Sequence, residues 1–66
     1  MEITLNGEKH TLAEASSVLD LLHSLAIDPQ KVAVEVDRQI IRPPQWSSAT
    51  IRDGAVVEIV HFVGGG

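Results

Sequence analysis

One helical stripe of apolar residues lies in a chain whose other regular segments have the patterns of β-strands. The members of the stripe recur at i, i+3, i+4 and i+7, on one face of a helix; they are Val18, Leu21, Leu22 and Leu25. Ser17 is a suitable N-cap, and Asp20 three residues later completes a capping box with the shorter acid. Pro29 stops any continuation. The sequence therefore predicts a single helix over residues 18–26.

The other regular segments are predicted strands. They alternate apolar and polar side chains or form a short apolar run, and they cover residues 1–5, 8–12, 32–36, 40–41 and 55–63. Asn6-Gly7 between the first two is a strong hairpin signal, because both positions tolerate positive φ. A helix with one apolar face must bury it against another layer. The pattern predicts an α+β fold, a mixed sheet of four to five strands packed on one helix.

Composition excludes several classes of function. The chain has 66 residues and no cysteine, so it forms one small domain without disulfides, thiolate metal sites or a cysteine nucleophile. Its three histidines lack the short spacing of a zinc site, and we expect no bound metal. A net charge of −4 argues against nucleic-acid binding. No long apolar run predicts a membrane span or signal peptide, so a cytoplasmic location is the default expectation.

The last predicted strand has two different faces. Glu58 does not belong in an apolar core, so Val57 and Ile59 are expected to point inward. Val56, Val60 and Phe62 then lie on the outer face, where clustered apolar side chains indicate a partner surface. The alternative is a twist or bulge near the end of the strand that turns Phe62 back against the sheet.

Three glycines, Gly64, Gly65 and Gly66, follow this strand. Consecutive glycines pack no core and lose much backbone freedom on ordering. We therefore divide the chain into a domain at 1–63 and a flexible tail at 64–66. By themselves the glycines fit either a functional arm or a frayed terminus. His61, close to the tail, could contact a partner, although an exposed strand-end histidine is the simpler interpretation.

Taken together, these features resemble the ThiS family, the small ubiquitin-like β-grasp proteins that carry sulfur in thiamine biosynthesis. The resemblance covers the whole chain: the opening hairpin, the leucine-bearing helix, the Pro–Trp segment that contains Trp46, the Asp53-Gly54 turn and the ending Glu-Ile-Val-His-Phe-Val-Gly-Gly-Gly. A terminal glycine pair alone is weak, because other ubiquitin-like proteins share it. The longer ending on so short a chain is much more specific, and the family's glycine pair corresponds to Gly65-Gly66.

The resemblance implies a carrier that is a co-substrate of enzymes and not itself an enzyme. A ThiF-type adenylating enzyme would use ATP and magnesium, which this chain does not bind, to activate the carboxylate of Gly66. A sulfurtransferase or cysteine desulfurase system would supply sulfur, and a ThiG-type thiazole synthase would consume the thiocarboxylate. Gly64 and Gly65 would give the tail its reach. The expected partner-binding residues are Val56, Val60, Phe62 and Val63.

Three other functions remain open at this stage. The small subunit of molybdopterin synthase uses the same thiocarboxylate chemistry. A ubiquitin-like modifier would form an isopeptide bond with lysines, and a plain β-grasp interaction module would have an inert tail. A hydrolytic enzyme is poorly supported, because the sequence has no Gly-x-Ser-x-Gly motif and its histidines are far apart. The sequence also has no phosphate-binding loop, so we expect nucleotide to bind the partner enzyme and not this chain.

Overall fold

The computed structural model describes residues 1–63, which form five strands and one α-helix. The elements in chain order are β1 (Glu2–Leu5), β2 (Glu8–Thr11), α1 (Val18–Ser24), β3 (Val32–Val36), β4 (Gln39–Ile41) and β5 (Val56–His61). Short 3₁₀ helices at Pro29–Lys31 and Pro43–Gln45 connect them. The predicted element order is confirmed. No helix within this described part of the chain is long and apolar enough to cross a membrane.

All five strands belong to one mixed sheet in the order β2-β1-β5-β3-β4. β1 pairs in parallel with β5, whereas the other three neighbouring pairs are antiparallel. The turn between β1 and β2 uses Asn6 and Gly7 with φ of 49° and 84°, as the hairpin signal predicts. The last strand in sequence is therefore the central strand of the sheet.

Capping groups fix both ends of α1. The backbone N–H of Ser17 donates to Oδ2 of Asp20 at 2.9 Å, and the backbone N–H of Asp20 donates to Oγ of Ser17 at 3.0 Å, which confirms the capping box. At the other end Ala26 has a φ of 55°. The N–H groups of Ala26 and Ile27 donate to the carbonyls of His23 and Leu22 at 3.1 and 3.0 Å, the hydrogen-bond pattern of a Schellman motif.

The core lies between α1 and one face of the sheet. The buried apolar residues come from the helix, from the inward positions of the strands, from the residue that follows β2 and from the segment before β5; they are Ile3, Leu12, Val18, Leu21, Leu22, Val32, Val34, Trp46, Ile51, Ala55, Val57 and Ile59. Trp46 is a packing residue, and its indole N–H donates to the carbonyl of Ile41 at 2.8 Å. One face of the sheet is thus covered by the helix, and the opposite face remains open.

The predicted element boundaries were partly wrong. The helix ends at Ser24 and not at residue 26, because the chain leaves helical geometry at Leu25 and turns left-handed at the next residue. The strand predicted at 8–12 ends at Thr11, and the one predicted at 55–63 spans Val56–His61. One hydrogen bond continues past β5, from the N–H of Phe62 to the carbonyl of Lys31 at 2.9 Å.

Candidate functional site

The outer face of the sheet, opposite α1, carries a cluster of exposed apolar side chains. β5 alternates as predicted: Val57 and Ile59 are buried in the core, and Val56 and Val60 are exposed. Phe62 directly after the strand keeps 60% of its surface exposed, so no twist or bulge turns it back into the core. Apolar side chains clustered at a protein surface usually mark a binding site.

Sequence reasoning missed one member of this cluster, Ile40 of β4. Its neighbour Ile41 is half-buried against the core, so Ile40 points the other way and is 70% exposed. Alternation within this strand was the available signal, but three residues are too few to assign inward and outward faces. We define the docking face as Ile40, Val56, Val60 and Phe62. The predicted partner residue Val63 follows it and is 97% exposed.

Two glutamates, Glu35 and Glu58, lie beside the residues of the docking face. Glu35 of β3 is directly opposite Glu58 of β5 in the antiparallel register, and Glu35 is also directly opposite Ile40 of β4. A shallow groove of about 230 Å³ lies between these rows, lined by both glutamates, Ile40 and Val60 together with Ala33 and Val34. Sequence reasoning did not bring the two glutamates together, because their pairing depends on a register between distant segments.

The side chain of Asn6 fixes the middle of β5. Its Oδ1 accepts the backbone N–H of Ile59 at 2.8 Å, and its Nδ2 donates to the carbonyl of the same residue at 3.3 Å. The amide thus takes the place of a strand residue beside β5, where β1 has already turned into the hairpin. Because Ile59 is two residues before His61, this contact holds the strand that leads to the glycines.

The predicted reactive residue Gly66 and the predicted tail residues Gly64 and Gly65 lie outside the described residues. His61, the last residue of β5, is exposed and directly opposite Val32. This position fits the simpler interpretation of an exposed strand-end histidine. Val60 and Phe62 of the docking face, and His61 between them, therefore lie within four residues of the predicted tail in the sequence.

A second surface groove, of about 600 Å³, lies between β2 and α1 and contains His10, Glu14, Asp20 and Ser24. Hydrogen bonds from the backbone and side chain of Ser17 hold the pKa of Asp20 below its ordinary value of 3.8, with a smaller contribution from His23. This carboxylate therefore acts as a helix cap. No group of three potential metal-ligating side chains occurs among residues 1–63.

Comparison with known proteins identifies the family. The ThiS family model matches residues 2–66. The chain belongs to the ThiS family. The sulfur carrier protein ThiS of Bacillus subtilis is 38% identical over 53 residues, which is 80% of each chain. The fold accordingly is the ubiquitin-like β-grasp fold, as the resemblance implies.

Structural comparison gives the same result. The crystal structure of the thiamine biosynthesis protein ThiS from Geobacter metallireducens superposes with a TM-score of 0.87, at 33% identity and over 100% of both chains. Thiazole synthases of Paramagnetospirillum magneticum and Magnetococcus marinus are 36% and 40% identical to this chain over its whole length. The chain spans only 20% of the length of these two relatives.

Proposed function

We propose that this protein is a sulfur carrier for synthesis of the thiazole ring of thiamine. The observation that carries the proposal is the family match over residues 2–66. The Bacillus subtilis relative is named a sulfur carrier protein, and the superposed Geobacter structure is named a thiamine biosynthesis protein. In this proposal the chain acts in the cytoplasm as a co-substrate of partner enzymes and performs no catalysis itself.

The proposed chemistry takes place at the carboxylate of Gly66. A ThiF-type adenylating enzyme binds ATP and magnesium, and a carboxylate oxygen attacks the α-phosphorus of ATP. Pyrophosphate leaves, and an acyl-adenylate forms. A sulfurtransferase or cysteine desulfurase system carries the sulfur as a protein persulfide, and a thiol reductant releases it at the oxidation level of sulfide, after which it attacks the carbonyl carbon. AMP leaves with the electron pair of the broken C–O bond, and a thiocarboxylate remains.

The residue types in the tail suit this chemistry. A carboxylate at neutral pH is a poor electrophile, so it needs activation before sulfur can be attached. Gly66 has no side chain to obstruct attack on its carbonyl carbon, and Gly64 and Gly65 allow the backbone to enter a narrow channel. Because the chain has no cysteine, the carboxylate is the best remaining place to hold transferable sulfur.

The docking face, with Val63 beyond it, is the proposed contact with the adenylating enzyme. Four large apolar side chains there are between 48% and 70% exposed, and burying them in an interface would favour association. Their position beside the end of β5 would direct the tail into the partner's active site. This geometry supports Val56, Val60, Phe62 and Val63 as partner-binding residues.

A ThiG-type thiazole synthase is the proposed acceptor of the sulfur. Two relatives that match this chain over its whole length are themselves named thiazole synthases. A segment similar to this chain therefore forms part of larger proteins that carry the thiazole synthase name. This association supports thiazole synthase over molybdopterin synthase as the partner.

The test is mass spectrometry of the chain after incubation with a ThiF-type enzyme, ATP, magnesium and a sulfur donor. We expect a mass increase equal to the replacement of one oxygen by sulfur, and no increase in a variant that lacks Gly65-Gly66. An unmodified wild-type chain with every such enzyme would refute the proposal. Complementation of a thiazole auxotroph, compared with a molybdopterin auxotroph, then distinguishes the two thiocarboxylate pathways.

Phe62→Asp tests the docking face separately from the tail. Because Phe62 lies outside the core, we expect the fold to persist while adenylation falls steeply, since a charge would be buried in an apolar interface. Ala13→Asp is the control, because it adds the same charge to an exposed position in the loop between β2 and α1. Pyrophosphate release measures adenylation, and a normal rate in Phe62→Asp would exclude this face as the contact.

A further inference from the structure

We propose that the docking face recognises an arginine of the adenylating enzyme through the facing carboxylates of Glu35 and Glu58. The inference rests on the proposed function and adds the residues that determine which partner surface fits. The guanidinium would lie across the two carboxylates, and the apolar side chains of the docking face would surround it.

The register of β3 and β5 places two like-charged residues directly opposite each other. Directly opposite residues of an antiparallel pair have Cβ atoms about 4.5–5.5 Å apart, and like charges there are destabilising. Glu35 and Glu58 occupy such a pair. No lysine or arginine nitrogen within residues 1–63 lies within 4.0 Å of either carboxylate. Within residues 1–63 the two glutamates therefore form no ion pair with a lysine or arginine.

The surroundings of the pair strengthen its attraction for an added cation. Glu35 is half-buried, and its neighbour across the β3–β4 pair is the apolar Ile40. Together with Val60, these residues line the groove of about 230 Å³. When a partner covers this groove, water is displaced and the attraction between charges grows as the local dielectric constant falls. The groove thus provides apolar contact and negative charge at one place.

Charge complementarity decides what kind of surface fits. Two copies of this chain placed face to face would bring four carboxylates together, and each copy already has a net charge of −4. Self-association through this face is therefore disfavoured. An arginine fits better than a lysine, because its planar fork of five N–H donors can bond both carboxylates at once. Apolar side chains around that arginine would complete the fit.

Such recognition also provides specificity. An adenylating enzyme with an apolar or acidic group at this position would bury two unpaired carboxylates, which costs much more than losing an attractive contact. The glutamates would therefore exclude partners that the apolar residues alone would accept. They are positioning residues, because they act on docking and not on the carbonyl carbon of Gly66.

The test compares adenylation kinetics of wild type, Glu35→Gln, Glu58→Gln and the double variant with the same ThiF-type enzyme. Glu8→Gln is the matched control, because Glu8 is an exposed strand glutamate on β2, away from the docking face. We expect each single variant to raise KM for the chain about 10-fold with kcat unchanged, the effect of losing a charged hydrogen bond. The control should match wild type.

Three further readouts separate recognition from general damage. Because one arginine bonds both glutamates, the double variant should raise KM by clearly less than the product of the single effects. Removing a like-charge pair should also leave the urea midpoint equal to or above that of wild type. KM of wild type should rise with salt concentration, and this dependence should weaken in both single variants.

The outcomes discriminate between the claims. If wild type is adenylated and the glutamine variants keep its KM and salt dependence, the glutamates have no role in docking and the proposed function stands. If the two effects multiply in the double variant, the glutamates act on separate groups and the single arginine is refuted. If wild type is not adenylated at all, the proposed function fails and this inference fails with it.

Discussion

Replacing Ala26 by glycine should stabilise the protein, because the C-terminus of α1 forces an alanine into left-handed geometry. Ala26 is exposed and has a φ of 55°, where a Cβ atom approaches the following carbonyl oxygen at a cost of about 1–2 kcal/mol. Glycine removes that clash and keeps both Schellman hydrogen bonds, which involve backbone atoms only. The greater freedom of glycine in the unfolded chain offsets roughly 0.4–1 kcal/mol of the gain.

The expected net effect is an increase of about 0.5–1 kcal/mol in the free energy of unfolding. For a chain of this size the slope in urea is about 1 kcal/mol per molar, so the midpoint should rise by about 0.5–1 M. Trp46 is the only tryptophan and is 3% exposed, so its fluorescence should report the transition.

Ala13→Gly is the matched control for this measurement. Ala13 is also exposed outside the helix, but it is not among the residues with positive φ. Glycine there relieves no clash and should lower the free energy of unfolding by roughly 0.4–1 kcal/mol. If Ala26→Gly is no more stable than wild type, the left-handed backbone at this position does not destabilise the folded protein as its φ of 55° indicates.

Two further predictions concern side chains that hydrogen-bond to the backbone. Asn6→Ala removes both hydrogen bonds to Ile59 and should lower the free energy of unfolding by about 1–3 kcal/mol. Amide hydrogen exchange at Ile59 should become faster, and an unchanged exchange rate would show that Asn6 does not hold the middle of β5. Because the pKa of Asp20 is lowered in the folded protein, its contribution to stability is present above pH 3.8 and is lost as pH falls through the lowered value. Urea unfolding across this range should show a smaller loss of stability on acidification in Asp20→Asn than in wild type.

Local signals determined most of the fold that could be predicted. The capping box at Ser17 and Asp20 and the hairpin at Asn6-Gly7 depend on neighbours within a few residues, so the sequence alone was sufficient. The end of the helix was predicted two residues late, because Pro29 was the visible stop signal. The helix ends with Ala26 in a left-handed position that glycine usually occupies, so the residue type did not indicate where the helix ends.

The candidate site was only half predictable for a different reason. Alternation within β5 correctly placed Val56 and Val60 outward, because the side-chain period of a strand is a local property. The opposition of Glu35 and Glu58 depends on which residues of β3 and β5 are aligned, and the two positions are separated by more than 20 residues of chain. No short-range pattern encodes that register, so the groove could not be inferred from the sequence.

The central position of β5 has a consequence for how the chain folds during synthesis. Until β5 leaves the ribosome, the β1–β2 and β3–β4 hairpins have no strand between them, and isolated two-stranded hairpins are marginally stable in water. The segment translated just before the glycines is therefore the one that closes the core. A nascent chain cannot assemble its docking face before that strand is made, so the surface offered to a partner exists only on molecules that have completed their sheet.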